Sequence, residues 1–110
     1  MLEPRGFVQQ GELAIDVERA KRKLGPNVVR LKHSIGDDTS GEPAIYFRIV
    51  LTDSASREET LAEVTGQIAS SLFDDLRPYE NWGLTPYFTF RSQSEQSKRN
   101  DPDSPTMMNF

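Results

Sequence analysis

The sequence predicts a small α+β two-layer sandwich. Its order is helix–strand–strand–helix–strand, with two helices on one face of a mainly antiparallel, three- to four-stranded sheet. Two windows repeat apolar residues at helical spacing, three alternate apolar with polar residues, and clusters of Gly, Pro, Asp and Ser separate them. That order matches a ferredoxin-like fold or a fragment of it lacking the first strand. Three segments follow: a flexible N-terminus over 1–10, a single domain over 11–91, and a polar, disordered tail over 92–110.

Residues 1–10 carry Pro4, Gly6 and two glutamines around one apolar pair, Phe7–Val8. That pair is the only candidate for a missing first strand, and it is short for one. From Gly11 to Leu24 the pattern is helical, with Leu13, Val17, Ala20 and Leu24 on one stripe and Ile15 off it. Lys21, Arg22 and Lys23 suit the negative end of the helix dipole, and Gly25-Pro26 stops the helix.

Asn27–Ile35 alternates, which places Val29, Leu31, His33 and Ile35 on one face and Val28, Arg30, Lys32 and Ser34 on the other. Gly36 to Pro43 is turn chemistry throughout, so this strand and the next form an antiparallel hairpin. In Ala44–Leu51, Ile45, Phe47, Ile49 and Leu51 point inward, while Tyr46, Arg48 and Val50 face the other way. Ser56-Arg57-Glu58-Glu59 reads as a capping box. Behind it runs an apolar stripe of Leu61, Val64, Ile68, Leu72 and Leu76, widened by Ala69 and Phe73 and ended by Arg77-Pro78. After a turn at Glu80–Gly83, Leu84–Arg91 is the third strand, with Phe88 and Phe90 on one face and Tyr87 and Thr89 on the other.

The chain has 110 residues, which fits one domain. A chain of this mass buries roughly two-thirds of the surface it exposes when unfolded, enough for a modest core. It has no cysteine, which excludes disulfides and thiolate metal sites. The opening residues carry no secretory pattern and no window is apolar enough to span a bilayer, so the expected location is cytoplasmic, without a membrane partner. A net charge of −4 argues mildly against non-specific nucleic-acid binding.

Candidate chemistry is thin. His33, the only histidine, lies on the apolar face of its strand, as a general base or as a hydrogen-bonded core imidazole. The second reading requires no partners from elsewhere. Asp37, Asp38 and Glu42, with Thr39 and Ser40, offer oxygen ligands, but their spacing fails the EF-hand pattern and turns use the same residues. Arg91–Gln96 is dense in hydrogen-bonding groups at a strand end, where a small pocket could form. There is no phosphate-binding glycine loop, no nucleophile–histidine–acid order and no implied cofactor.

The expectation is therefore a non-catalytic interaction or regulatory module. It would self-associate or dock on a protein partner through an open sheet edge, or through the face bearing Tyr46, Arg48, Tyr87, Thr89 and Arg91. The alternative is a nucleic-acid binder using the same face and the basic run Arg19, Lys21, Arg22, Lys23, Arg30 and Lys32. A third reading is a small enzyme in which His33, the Asp37–Glu42 loop and the Arg91–Glu95 segment converge.

Overall fold

The computed structural model describes residues 3–99. In chain order these form α1 (Arg5–Val8), α2 (Gln10–Lys21), β1 (Val28–Asp37), β2 (Pro43–Leu51), α3 (Glu58–Leu76), α4 (Pro78–Trp82), β3 (Thr85–Ser92) and α5 (Gln93–Arg99). The strands make one sheet in the order β1-β2-β3. β1 and β2 pair antiparallel through the Asp38–Glu42 turn, whereas β3 runs parallel to β2. The α+β sandwich thus stands, as a fragment consistent with a ferredoxin-like fold, but its sheet is mixed rather than mainly antiparallel. The cause is α3: a 19-residue helix carries the chain back along the sheet, so the next strand starts from the end where β2 began.

β2 is the central strand, and its sequence explains why. Ile45, Phe47, Ile49 and Leu51 are fully buried on the helix face, and Ala44 and Val50 are buried on the opposite one. Onto the first face pack Leu13, Val17 and Ala20 of α2 and Ile68, Leu72 and Leu76 of α3, with Leu31 of β1 and Trp82 and Leu84 completing the core. Phe47 and Phe88 stack across neighbouring strands with ring centroids 5.3 Å apart.

β1 departs from simple alternation. A bulge between Val28 and Arg30 pairs Val28 with Leu51 and Arg30 with Val50, so Val28 packs on the core and Val29 is exposed. Strict parity put Val29 on the core face; the extra residue shifts the phase of the strand's first turnings.

The capping box is misplaced as well. Ser56 is committed backward: its N–H and its Oγ–H both donate to the Thr52 carbonyl, at 3.2 and 2.9 Å. The N-cap of α3 is Arg57, with no side-chain cap, and Glu58 and Glu59 in the first turn answer the helix dipole instead. A reciprocal box does occur at the start of α5. The Ser92 N–H donates to Glu95 Oε1 and the Glu95 N–H to Ser92 Oγ, each at 3.1 Å.

That box is one reason the segment expected to be tail is helical through Arg99. The other is Asp53, whose carboxylate accepts from the Ser94 N–H at 3.0 Å and from its hydroxyl at 2.7 Å. Residues 100–110, including the apolar Met107, Met108 and Phe110, lie outside the described residues.

The N-terminal segment is held, too, although its composition suggested a flexible one. Phe7–Val8 belongs to a helical turn, not to a first strand. Gly6 lets α1 approach so closely that a Cβ there would stand 2.4 Å from Leu84 Cδ1. The Arg5 guanidinium lies 4.3 Å above the buried Trp82 ring, and Arg5 also bonds Gln9 and the Asn81 carbonyl. The turn expected over Glu80–Gly83 is the short helix α4, started by Pro78 and ended by Gly83 at φ 70°.

Candidate functional site

Pairing across β1, β2 and β3 sorts the sheet's second face into rows. Ser34, Tyr46 and Tyr87 form one row; Lys32, Arg48 and Thr89 the next; Arg30, Val50 and Arg91 the third. All five residues read from the sequence as a binding face, Tyr46, Arg48, Tyr87, Thr89 and Arg91, therefore do share one surface. It is not wholly open. α5 lies over the third row, where Gln93, Gln96 and Ser97 join Lys21, Val29, Arg30 and Val50 around a pocket of about 420 Å³.

The tyrosine row is built to hold its shape. Tyr46 and Tyr87 stack at 5.4 Å with 19° between planes. The Tyr46 hydroxyl donates to the Asp37 carbonyl at 3.1 Å and the Tyr87 hydroxyl to Asp38 Oδ2 at 2.7 Å. Asp38 Oδ1 meanwhile accepts the N–H groups of Ser40 and Glu42, both at 2.9 Å. The Tyr87 hydroxyl, then the Glu42 and Ser40 amides, hold the Asp38 carboxyl below its ordinary value of 3.8. The same bond pushes the Tyr87 phenol up from 10.0. The acidic loop thus spends its one well-placed carboxylate on closing itself and gripping the edge strand.

The groups of the small-enzyme reading do not come together. His33 pairs in register with Phe47, on the helix face, while Arg91 is on the opposite face. The Asp37–Glu42 loop adjoins the Ala44 end of β2 and the Arg91–Glu95 segment its Val50 end, roughly 20 Å away at strand rise. Burial first, and the neighbouring Arg48 charge second, lower the His33 pKa from 6.5, keeping the imidazole neutral. Among the described residues no three His, Cys, Asp or Glu side chains gather as a metal site.

The basic run divides. Arg19 pairs with Asp16 at 2.9 Å and Lys23 with Asp75 at 3.7 Å, and Arg22 is exposed at the end of α2. Lys21, by contrast, reaches the pocket beside Arg30, and Lys32 sits directly opposite Arg48.

The second candidate surface is the edge of β3. Among the described residues β2 is its only strand neighbour. On the helix side, α3 is anchored at its C-terminal half, while Leu61 near its start is exposed. Between the N-terminal half of α3 and β3 lies an open groove of about 580 Å³, lined by Leu51, Leu61, Ala62, Phe88 and Phe90 and rimmed by Glu58 and Glu95. Sequence reasoning assigned Leu61, Phe88 and Phe90 to the core stripe. Nothing in the 3.6-residue period marks where a helix lifts away from its sheet. Asp53, Ser92 and Glu95 were also missed as the residues that seat α5, although the Ser-x-x-Glu spacing at 92–95 was there to be read.

No helix among the described residues is long and apolar enough to cross a membrane. Comparison with protein families, with curated proteins and with solved structures finds no match for this chain.

Proposed function

We propose that this chain is a non-catalytic interaction module that pairs with a second copy of itself along the free edge of β3. One observation carries the reading: an eight-residue edge strand lies beside an apolar groove that the chain's own helix leaves unfilled. An unpaired edge presents a row of backbone donors and acceptors, and antiparallel pairing of two β3 strands about a two-fold axis would satisfy them. The same approach would cover Leu61 and the outer parts of Phe88 and Phe90. The other edge is defended, since β1 carries a bulge and the charges of Arg30 and Lys32. Pro86 confines pairing to the remainder of β3, because proline donates no N–H. A cytoplasmic setting belongs to the same reading, as a chain without cysteine has no disulfide to gain elsewhere.

Light scattering across a concentration series tests this reading. The wild type is expected to move from monomer to dimer, and Leu61→Glu to remain monomeric with an unchanged melting temperature. A wild type that is monomeric at about 1 mM, where even an association worth about −4 kcal/mol would be visible, overturns it.

A further inference from the structure

We propose that the second sheet face binds single-stranded nucleic acid, with Lys21, Arg30, Lys32 and Arg48 along the phosphates and Tyr87 stacking a base. The first observation is charge segregation. The chain has 17 acidic and 13 basic residues, yet no carboxylate occupies any position of this face over 30–36, 44–50 or 85–91. Lys32 lies directly opposite Arg48, an arrangement of like charges that costs a sheet stability. None of Lys21, Arg30, Lys32 and Arg48 forms an ion pair among the described residues, whereas Arg19 of α2 and Lys23 just past its end both do. Arg48 Nε is shielded from water and has no hydrogen-bond acceptor among the described residues. An anion drawn into this track would offset the repulsion between Lys32 and Arg48.

The second observation selects the kind of anion. The cations run along two rows from the pocket under α5 to the tyrosine row, with neighbouring strands about 4.8 Å apart. There Tyr46 covers one face of the Tyr87 ring, and among the described residues no strand beyond β3 covers the other; Tyr87 is 40% exposed. Its hydroxyl is held by Asp38, so the ring is fixed before any ligand arrives. A positive track ending on a pre-set aromatic platform suits phosphates joined to flat bases. Those bases must be free to leave their own stack, which selects a single strand over a duplex. An acidic peptide would use the cations and leave the platform idle.

The test uses the full chain and a fluorescent oligothymidylate of about ten nucleotides, a length within the range that single-strand-binding folds cover. Anisotropy is expected to rise at low salt, with log K falling against log salt at a slope of about −2 to −3 for three to four phosphate contacts. Lys32→Ser should make that slope shallower by about 0.7. Tyr87→Leu should weaken binding about ten-fold with the slope unchanged, while Tyr87→Phe, which keeps the ring and loses only the Asp38 bond, should bind nearly as the wild type does. No binding at low salt overturns the proposal. So does displacement by polyglutamate of equal length as effective as displacement by unlabelled oligothymidylate, together with indifference to Tyr87→Leu. Running the series on Leu61→Glu keeps this result separate from self-association at the β3 edge.

Discussion

At the scale of single residues, the places where local preference is overruled are the informative ones. Arg77 is the one non-glycine residue with positive φ among those described, at φ 42° and ψ 65°, ending α3 and leading into Pro78 of α4. Left-handed backbone costs a side-chain-bearing residue roughly 1–2 kcal/mol, part of which glycine returns as entropy in the unfolded chain. Arg77→Gly is therefore expected to stabilise the fold by about 0.5–1 kcal/mol in urea denaturation. Its exposed pairing with Glu80, at 3.3 Å, is a small loss against that.

The Asp38–Tyr87 bond gives a second residue-scale expectation, with a definite sign. A carboxylate whose folded pKa lies below its ordinary 3.8 binds protons less readily in the folded state, so its stabilisation is complete above that value. A double-mutant cycle of Asp38→Asn and Tyr87→Phe should show coupling at neutral pH that fades as pH falls below 3.8, through the depressed value. His33 is a half-buried base. Its pKa is lowered, so the unfolded state takes up its proton first and stability declines as pH drops below 6.5. In His33→Gln that part of the decline should be absent from melting curves recorded across the window.

At the scale of elements, α5 shows how few contacts decide whether a polar stretch folds. It has no apolar stripe of its own, being Gln-Ser-Glu-Gln-Ser-Lys-Arg, and a helix of seven residues does not hold by itself in water. The reciprocal Ser92–Glu95 bonds and the grip of Asp53 on Ser94 supply what propensity does not. Ser92→Ala should remove about 1 kcal/mol from the helix and raise amide exchange across Gln93–Arg99 about five-fold, with the sheet's protection unchanged. At the opposite end of the chain, Gly6→Ala would drive a methyl into Leu84. The expected cost is about 1–3 kcal/mol, read as a lower melting temperature together with a change in Trp82 fluorescence as Arg5 and α1 move off the ring.

At the scale of the whole molecule, the sheet is three strands wide with its two faces treated differently. One face carries α2 and α3 and holds the core. Among the described residues the other carries only α5, over one row, and collects Tyr46 and Tyr87 with the cations Lys21, Arg30, Lys32 and Arg48. The open face of the Tyr87 ring looks toward the same β3 edge that self-association would pair, so the two surfaces meet at that ring. An expectation follows for the assembled molecule: pairing β3 to β3 would bring the two Tyr87 rings near one another, so dimerisation and oligonucleotide binding should be thermodynamically linked. Titrating oligothymidylate at protein concentrations above and below the dimerisation midpoint reads that linkage as a shift in apparent affinity.

The sequence by itself determined the order of the two long helices and the three strands, and the division of the side chains of β2 into two faces. Each follows from local periodicity: an apolar run flanked by turns has few places to go, and parity sorts Tyr46 and Arg48 from Ile45 and Phe47 without reference to any other strand. The candidate face was legible for that reason. Tertiary structure alone decided the rest. Whether β3 ran parallel depended on how far α3 carried the chain, and the phase of Val29 on a one-residue bulge. Which cations were spent in ion pairs depended on α2 lying beside Asp75 of α3. The seating of α1 and α5 turned on single residues, Gly6 and Asp53, meeting partners dozens of residues away. Those encounters leave no periodic trace in a sequence, because they join residues whose separation along the chain is unrelated to their separation in space.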